Sequence, residues 1–125
     1  MLSDQVIDHF ERPRNAGSFA RGESGVGCGL VGAPARGEVI RLQIKMGSAG
    51  LIDDACFKAF GSATTIAAAS LVSELAKGKT LAEAAEITNT IIACHLALAP
   101  LQMRSATLAE DAIKAAMADY RMKHG

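Results

Sequence analysis

An α+β fold is what the sequence predicts: a small three-stranded antiparallel sheet packed on one face by helices, with a long C-terminal helix. Three observations predict it. Residues 39–46 alternate strictly, with Ile40, Leu42, Ile44 and Met46 on one side and Arg41, Gln43 and Lys45 on the other, which is the pattern of a half-buried strand. After Gly61 the apolar period becomes helical. The last apolar stripe, Leu108, Ala112, Ile113, Ala116, Met117 and Tyr120, repeats at helical spacing almost to the end of the chain.

The elements follow in order. Residues 3–11 carry Val6, Ile7 and Phe10 at helical spacing, with Ser3 as cap; Pro13, Asn15 and Gly17 end the helix. His9 in this helix has no ligand partner nearby and reads as a packed or surface histidine. Residues 22–34 hold Gly22, Gly25, Gly27, Gly29 and Gly32. They do not form G-x-G-x-x-G opening a helix, because Gly32 leads into Ala33-Pro34, so a mobile or bulged edge strand is expected. Residues 47–50 are a turn, and residues 51–60 complete a hairpin. Ser62 or Thr64 caps a helix to about Lys77, with Gly78 as its stop. Thr80-x-x-Glu83 is a capping box opening a short helix. Asn89 or Thr90 starts another, through Cys94, His95 and Leu96, which Pro100 breaks. The last helix is expected over about 107–124. Elements in this order give helices on one sheet face.

At 125 residues the chain is one domain, 1–125, long enough for a real core. Half of it is hydrophobic and about a fifth charged, which excludes disorder. Lys+Arg and Asp+Glu balance at 13 each, with no Trp and one Tyr, so a nucleic-acid binder is not expected. No apolar run is long enough for a membrane span and no secretion signal is visible, so a cytoplasmic protein is expected. Three cysteines without a C-x-x-C pattern read as reduced thiols. No nucleophile–base set is legible, so an enzyme is not expected.

Val6-Ile7-Asp8-His9-Phe10 with Pro13-Arg14-Asn15, then Val31-Gly32-Ala33-Pro34-Ala35 ahead of Leu42-Gln43-Ile44-Lys45, and finally residues 108–116, Leu-Ala-Glu-Asp-Ala-Ile-Lys-Ala-Ala, form a set. Together they resemble the IscU/NifU-type iron–sulfur cluster assembly scaffolds from end to end. The resemblance implies a compact α+β scaffold carrying a [2Fe-2S] cluster or zinc on three cysteines, with a histidine beside the third and an aspartate two residues after the first. Thiolates suit that chemistry because clusters and zinc prefer soft anionic ligands. Here Arg36 follows Gly32-Ala33-Pro34-Ala35, and Ser62 follows Phe60-Gly61. Arg104-Ser105 stand where the family has His-Cys before the last helix, and Glu38 stands for the aspartate. A guanidinium has no lone pair to offer and a hydroxyl stays protonated near neutral pH. The resemblance therefore implies a degenerate ligand site, with no cofactor expected there.

The family's Leu-Pro-Pro-Val-Lys segment, read by an Hsp70-type chaperone, is Leu98-Ala99-Pro100-Leu101-Gln102 in this chain; that recognition is not expected. Cys28, Cys56 and Cys94 lie outside the matched positions and read as inert thiols, with a relocated site using Cys94 and His95 with Cys28 or Cys56 as the alternative. Three functions compete: a scaffold, an accessory protein docking a cysteine desulfurase or a client, and a small-anion module. Arg36, Ser62, Arg104 and Ser105 would converge at one tip, where Glu38 is expected to neutralise one arginine and seal the site; the alternative, the anion module, places a small anion there at the helix start.

Overall fold

The computed structural model describes residues 2–124. The chain runs α1 (Asp4–Glu11), β1 (Val26–Ala33), β2 (Glu38–Met46), β3 (Ile52–Phe60), α2 (Ala63–Ala76), α3 (Leu81–Ala84), α4 (Asn89–Leu96) and α5 (Met103–His124). Two 3-10 turns, Pro34–Arg36 and Pro100–Gln102, precede β2 and α5. The three strands pair antiparallel in the order β1-β2-β3, and helices cover one face, as the patterning predicts.

The alternation of β2 decides which face that is. Ile40, Leu42 and Ile44 are fully buried under α2 and α5, each contributing about 1.5–3 kcal/mol of apolar burial. Ala55 and Phe57 of β3 lie opposite Ile44 and Leu42 and share that face. The center of the molecule is α2, buried nearly all round through Ala67, Ala68, Ala69, Leu71 and Val72. Its small side chains let α1, α5 and β3 approach together.

The glycine-rich segment corrects one expectation. It is an edge strand, but it is not bulged: eight successive residues of β1 pair in unbroken register with β2. The glycines serve a neighbor distant in sequence. A Cβ on Gly29 would lie 2.4 Å from the Ala112 carbonyl oxygen, and one on Gly27 would lie 2.4 Å from that of Ala116. Helix α5 therefore rests with its backbone directly on these two residues.

The start of α5 is a second correction. It begins at Met103, not near Thr107, so Arg104 and Ser105 lie in its first turn rather than before it. The 3-10 turn at Pro100 runs straight into the helix, and Gln102 Oε1 accepts the Ala99 N–H at 2.9 Å. Thr107, near which the helix was expected to start, lies inside it and accepts from Asn89 Nδ2 at 3.0 Å. Helix α4 starts at Asn89, one of the two expected positions, with Thr88 as its cap. Asn89 donates its N–H to Glu110 Oε1 at 2.6 Å.

Both edges of the sheet carry extra hydrogen bonds. On β1, Cys28 donates its N–H to Asp119 Oδ2 of α5 at 2.8 Å. Along β3, Phe57 donates its N–H to the Asn15 carbonyl at 3.0 Å and accepts from Gly17 at 2.9 Å. The segment behind α1 is also fixed to α2, where Ser70 Oγ accepts the Arg14 N–H at 2.8 Å and lies 2.8 Å from His9 Nδ1.

His9 is thus a buried structural histidine. Burial is the main cause holding its pKa below 6.5; the Arg14 charge adds to it, while Glu74 and Asp8 oppose. The unfolded chain then binds the proton more readily than the folded one. Stability is full above pH 6.5 and falls as the pH drops through 6.5, until the folded histidine is protonated too. Urea unfolding at pH 7.5 and pH 5.5 is expected to show a larger loss for the wild type than for His9→Gln. Equal losses in the two proteins would assign the slope to other groups.

Candidate functional site

One end of the sheet gathers the residues singled out in the sequence. Glu38 opens β2, and its side chain is only 15% exposed. Gly61 ends the hairpin with φ +152°; a Cβ there would meet Glu38 Cβ and Thr65 at 3.2 Å, so the chain passes close over both. The next residue, Ser62, is the N-cap of α2, its Oγ accepting the Thr65 N–H at 3.2 Å. The first turn of α5 arrives from the other side with Arg104 and Ser105.

Two sets of contacts form there. Arg104 Nε lies 2.5 Å from Glu38 Oε1. Arg36 and Arg104 line one cleft of about 530 Å3 together with Glu38 and Asp111. Beside it runs a row of hydroxyls. Thr65 Oγ1 is 3.1 Å from Ser62 Oγ and 3.2 Å from Ser105 Oγ, with Thr65 and Ser105 both buried. Sequence reasoning did not single out Thr65. Its only local signal is its place three residues after the capping serine, where its N–H meets the cap.

The electrostatics of this corner are those of a closed ion pair. With the Arg104 side chain 59% exposed, the pair contributes on the order of 1 kcal/mol or less. Its effect is positional, since it fixes Arg104 across the carboxylate. The hydroxyls of Ser62 and Ser105 are turned toward Thr65. The donors present are guanidinium and hydroxyl groups with one carboxylate, which do not fit a soft metal or an iron–sulfur cargo. Among the described residues no group of three or more His, Cys, Asp and Glu side chains is placed to hold a metal ion.

The cysteines are kept apart. Cys28 and Cys56 flank Gln43 in register across the outer face of the sheet. Burial pushes the Cys56 thiol pKa up, which disfavors the reactive thiolate. Cys94 is exposed on α4, in the helical layer, and the neighboring His95 ring nitrogen Nδ1 sits 3.0 Å from the Ile91 carbonyl of its own helix. The relocated set of Cys94 and His95 with Cys28 or Cys56 is therefore not assembled. The segment 98–102 ends in the 3-10 turn Pro100–Gln102 before α5, with Leu101 99% exposed at its tip. No described helix is long and apolar enough to cross a membrane.

The chain is similar to known proteins over nearly its whole length. The family described as NifU-like N terminal domain matches residues 1–125. The iron–sulfur cluster assembly scaffold protein IscU of Escherichia coli is 54% identical over 121 residues, covering 97% of this chain and 94% of that protein. The IscU of Haemophilus influenzae is 53% identical over 123 residues, with 98% of both chains covered. Among solved structures, a putative scaffold protein for the SUF system from Fervidobacterium islandicum AW-1 superposes with TM-score 0.72 at 18% identity, over 92% of this chain and 95% of that one. The N-terminal NifU-like protein of Brucella abortus gives 0.71 at 14% identity, over 98% and 95%. At those identities the structures speak to the fold.

Proposed function

Because the chain belongs to the NifU-like N terminal domain family, we propose that it works in iron–sulfur cluster assembly as a scaffold-type protein whose ligand corner is closed. It serves the cytoplasmic machinery by docking, through the family's fold, to a cysteine desulfurase or a client, and not as an enzyme. The observation that carries this reading is the corner itself. Arg104 is locked on Glu38, and Ser62 and Ser105 hydrogen-bond to Thr65, at positions where the resemblance calls for thiolates and a histidine.

Relatives named as cluster assembly scaffolds, more than half identical over nearly their whole length, support a place in the same machinery. The donor set argues that the cargo is not held here. A hydroxyl would have to lose its proton near neutral pH to ligate iron, and a guanidinium carries a fixed positive charge where iron must enter. Arg36 at the rim of the same cleft adds a second positive charge.

The test is anaerobic purification followed by reconstitution with iron and sulfide. We expect no absorption surviving desalting at roughly 400–450 nm, the region of thiolate-bound clusters. We also expect co-elution with a cysteine desulfurase in gel filtration. A stoichiometric cluster retained after desalting would overturn the closed corner, and loss of co-elution with desulfurase and scaffold clients alike would overturn the docking role.

A further inference from the structure

The outer face of the sheet, away from the helices and from the corner just described, is crossed by the loop of residues 18–23. Three contacts hold it there. Phe19 donates its N–H to Gln43 Oε1 at 3.1 Å, the Arg41 guanidinium donates to the Ser18 hydroxyl, and Glu23 pairs with Lys45 at 2.8 Å. Gly22 and Gly25, at φ +79° and +78°, turn the chain at either side of Glu23. Between loop and sheet lies a cleft of about 470 Å3.

Its charge is one-sided. Arg21, Arg41, Lys58 and Lys123 line it against a single carboxylate, Glu23, which Lys45 already engages. Lys123 is paired with Asp119 at 2.9 Å. That leaves Arg21, Arg41 and Lys58, none of which makes an ion pair among the described residues. The strand register sharpens the point. Arg41 of β2 stands directly opposite Lys58 of β3, on the same outward face. Like charges directly opposite across an antiparallel pair are destabilizing. The chain has as many carboxylates as cations, yet among the described residues none pairs with Arg41 or Lys58. A bound anion would relieve it. A forked guanidinium, an ammonium group and a hydroxyl on one wall match the oxygens of a phosphoryl group.

We propose that this cleft binds a small, multiply charged phosphate compound, of the class of inorganic pyrophosphate, between Arg41 and Lys58, with Arg21 closing on it from the loop. The site is independent of the closed corner: it uses the opposite face of the sheet and none of the same residues.

The test is a titration of the isotopically labeled protein with pyrophosphate at low ionic strength, followed by amide NMR, with citrate and sodium chloride as arms of matched ionic strength. Saturable shifts are expected for residues 18–23, Arg41 and Lys58 with pyrophosphate, and much smaller ones with citrate or chloride. Lys58→Gln should weaken the affinity by about tenfold, the loss of one charge-assisted contact. Lys58→Glu should abolish binding and raise the thermal midpoint without any anion, because it turns the repulsive pair into an attractive one. Lys58 is exposed, and the thermal midpoint verifies that each variant is folded. Shifts reproduced by chloride, shifts confined to Arg36 and Arg104, citrate binding as well as pyrophosphate, or Lys58→Gln binding like the wild type would each overturn the proposal.

Discussion

Arg36→Cys, Ser62→Cys and Ser105→Cys, made together, are expected to convert a protein that retains no cluster into one that does. Ser62 Oγ and Ser105 Oγ already lie within 3.1 and 3.2 Å of one atom, Thr65 Oγ1. Thiols at those two positions therefore start from side chains that converge. Arg36 ends the 3-10 turn at the rim of the same corner, and replacing it also removes a cation from the cleft. Adding Arg104→His should raise retention further, because it frees Glu38 from its guanidinium partner. The change in donor chemistry, from protonated hydroxyl to thiolate, is all-or-none in its effect on cluster retention. After anaerobic reconstitution and desalting, absorption at roughly 400–450 nm is expected in the triple and quadruple variants and not in the wild type. A triple variant that keeps the wild-type circular dichroism and still loses all iron would show that side-chain chemistry is not what closes this corner.

The second large effect is on stability. Gly29→Ala is expected to cost about 3 kcal/mol, the upper range for overpacking. A Cβ at this position would stand 2.4 Å from the Ala112 oxygen, 2.6 Å from the Ala116 nitrogen and 2.9 Å from the Ala115 Cβ. Two of those three atoms belong to helix backbone and cannot swing aside, so α5 must lift from β1. Lifting it opens the packing around Ala109, Ala112, Ile113 and Ala116, all fully buried. In a domain whose total stability is typically 5–15 kcal/mol, such a loss is severe. Cys28→Ala, between the two glycines but facing the other side of the sheet, is the control and should cost much less. Comparable urea midpoints for the two variants would refute the steric account.

How much of this was legible in the sequence depends on whether the cause is local. Alternation in β2 and the switch of period after Gly61 reveal sheet and helix because side-chain direction is set by the backbone geometry of each element. Ser3, Ser62 and the Thr80–Glu83 box are local hydrogen-bond signals, and all three cap helices as expected. The purpose of Gly27 and Gly29 was hidden, because the backbone they accommodate lies more than 80 positions further along the chain. The early start of α5 was hidden too, because the 3-10 turn at Pro100 runs straight into the helix.

At the candidate site, the convergence of Glu38 with Arg104 was expected from the family resemblance, and the contact is present at 2.5 Å. Thr65, which joins Ser62 to Ser105, was not foreseen, because its role depends on where α5 begins. Arg41 and Lys58 were each visible as polar positions of a strand. Only the register makes them face each other.

The hydrogen bonds along the outer margins of the sheet bear on how this protein meets other chains. Unclaimed strand margins are templates for adding a further strand, and through it for domain exchange and fibril growth. Here the Asp119 carboxylate occupies an amide in β1, while Asn15 and Gly17 take both main-chain groups of Phe57 in β3. A partner therefore finds little main chain to pair with at these places and must recognize side-chain surfaces instead. The two guards also differ in attachment. One is a single carboxylate near the far end of a helix, the other a backbone segment anchored to two strand atoms. Fraying of the last turns of α5 would bare the β1 margin first, making this the side from which self-association under mild destabilization is expected to begin.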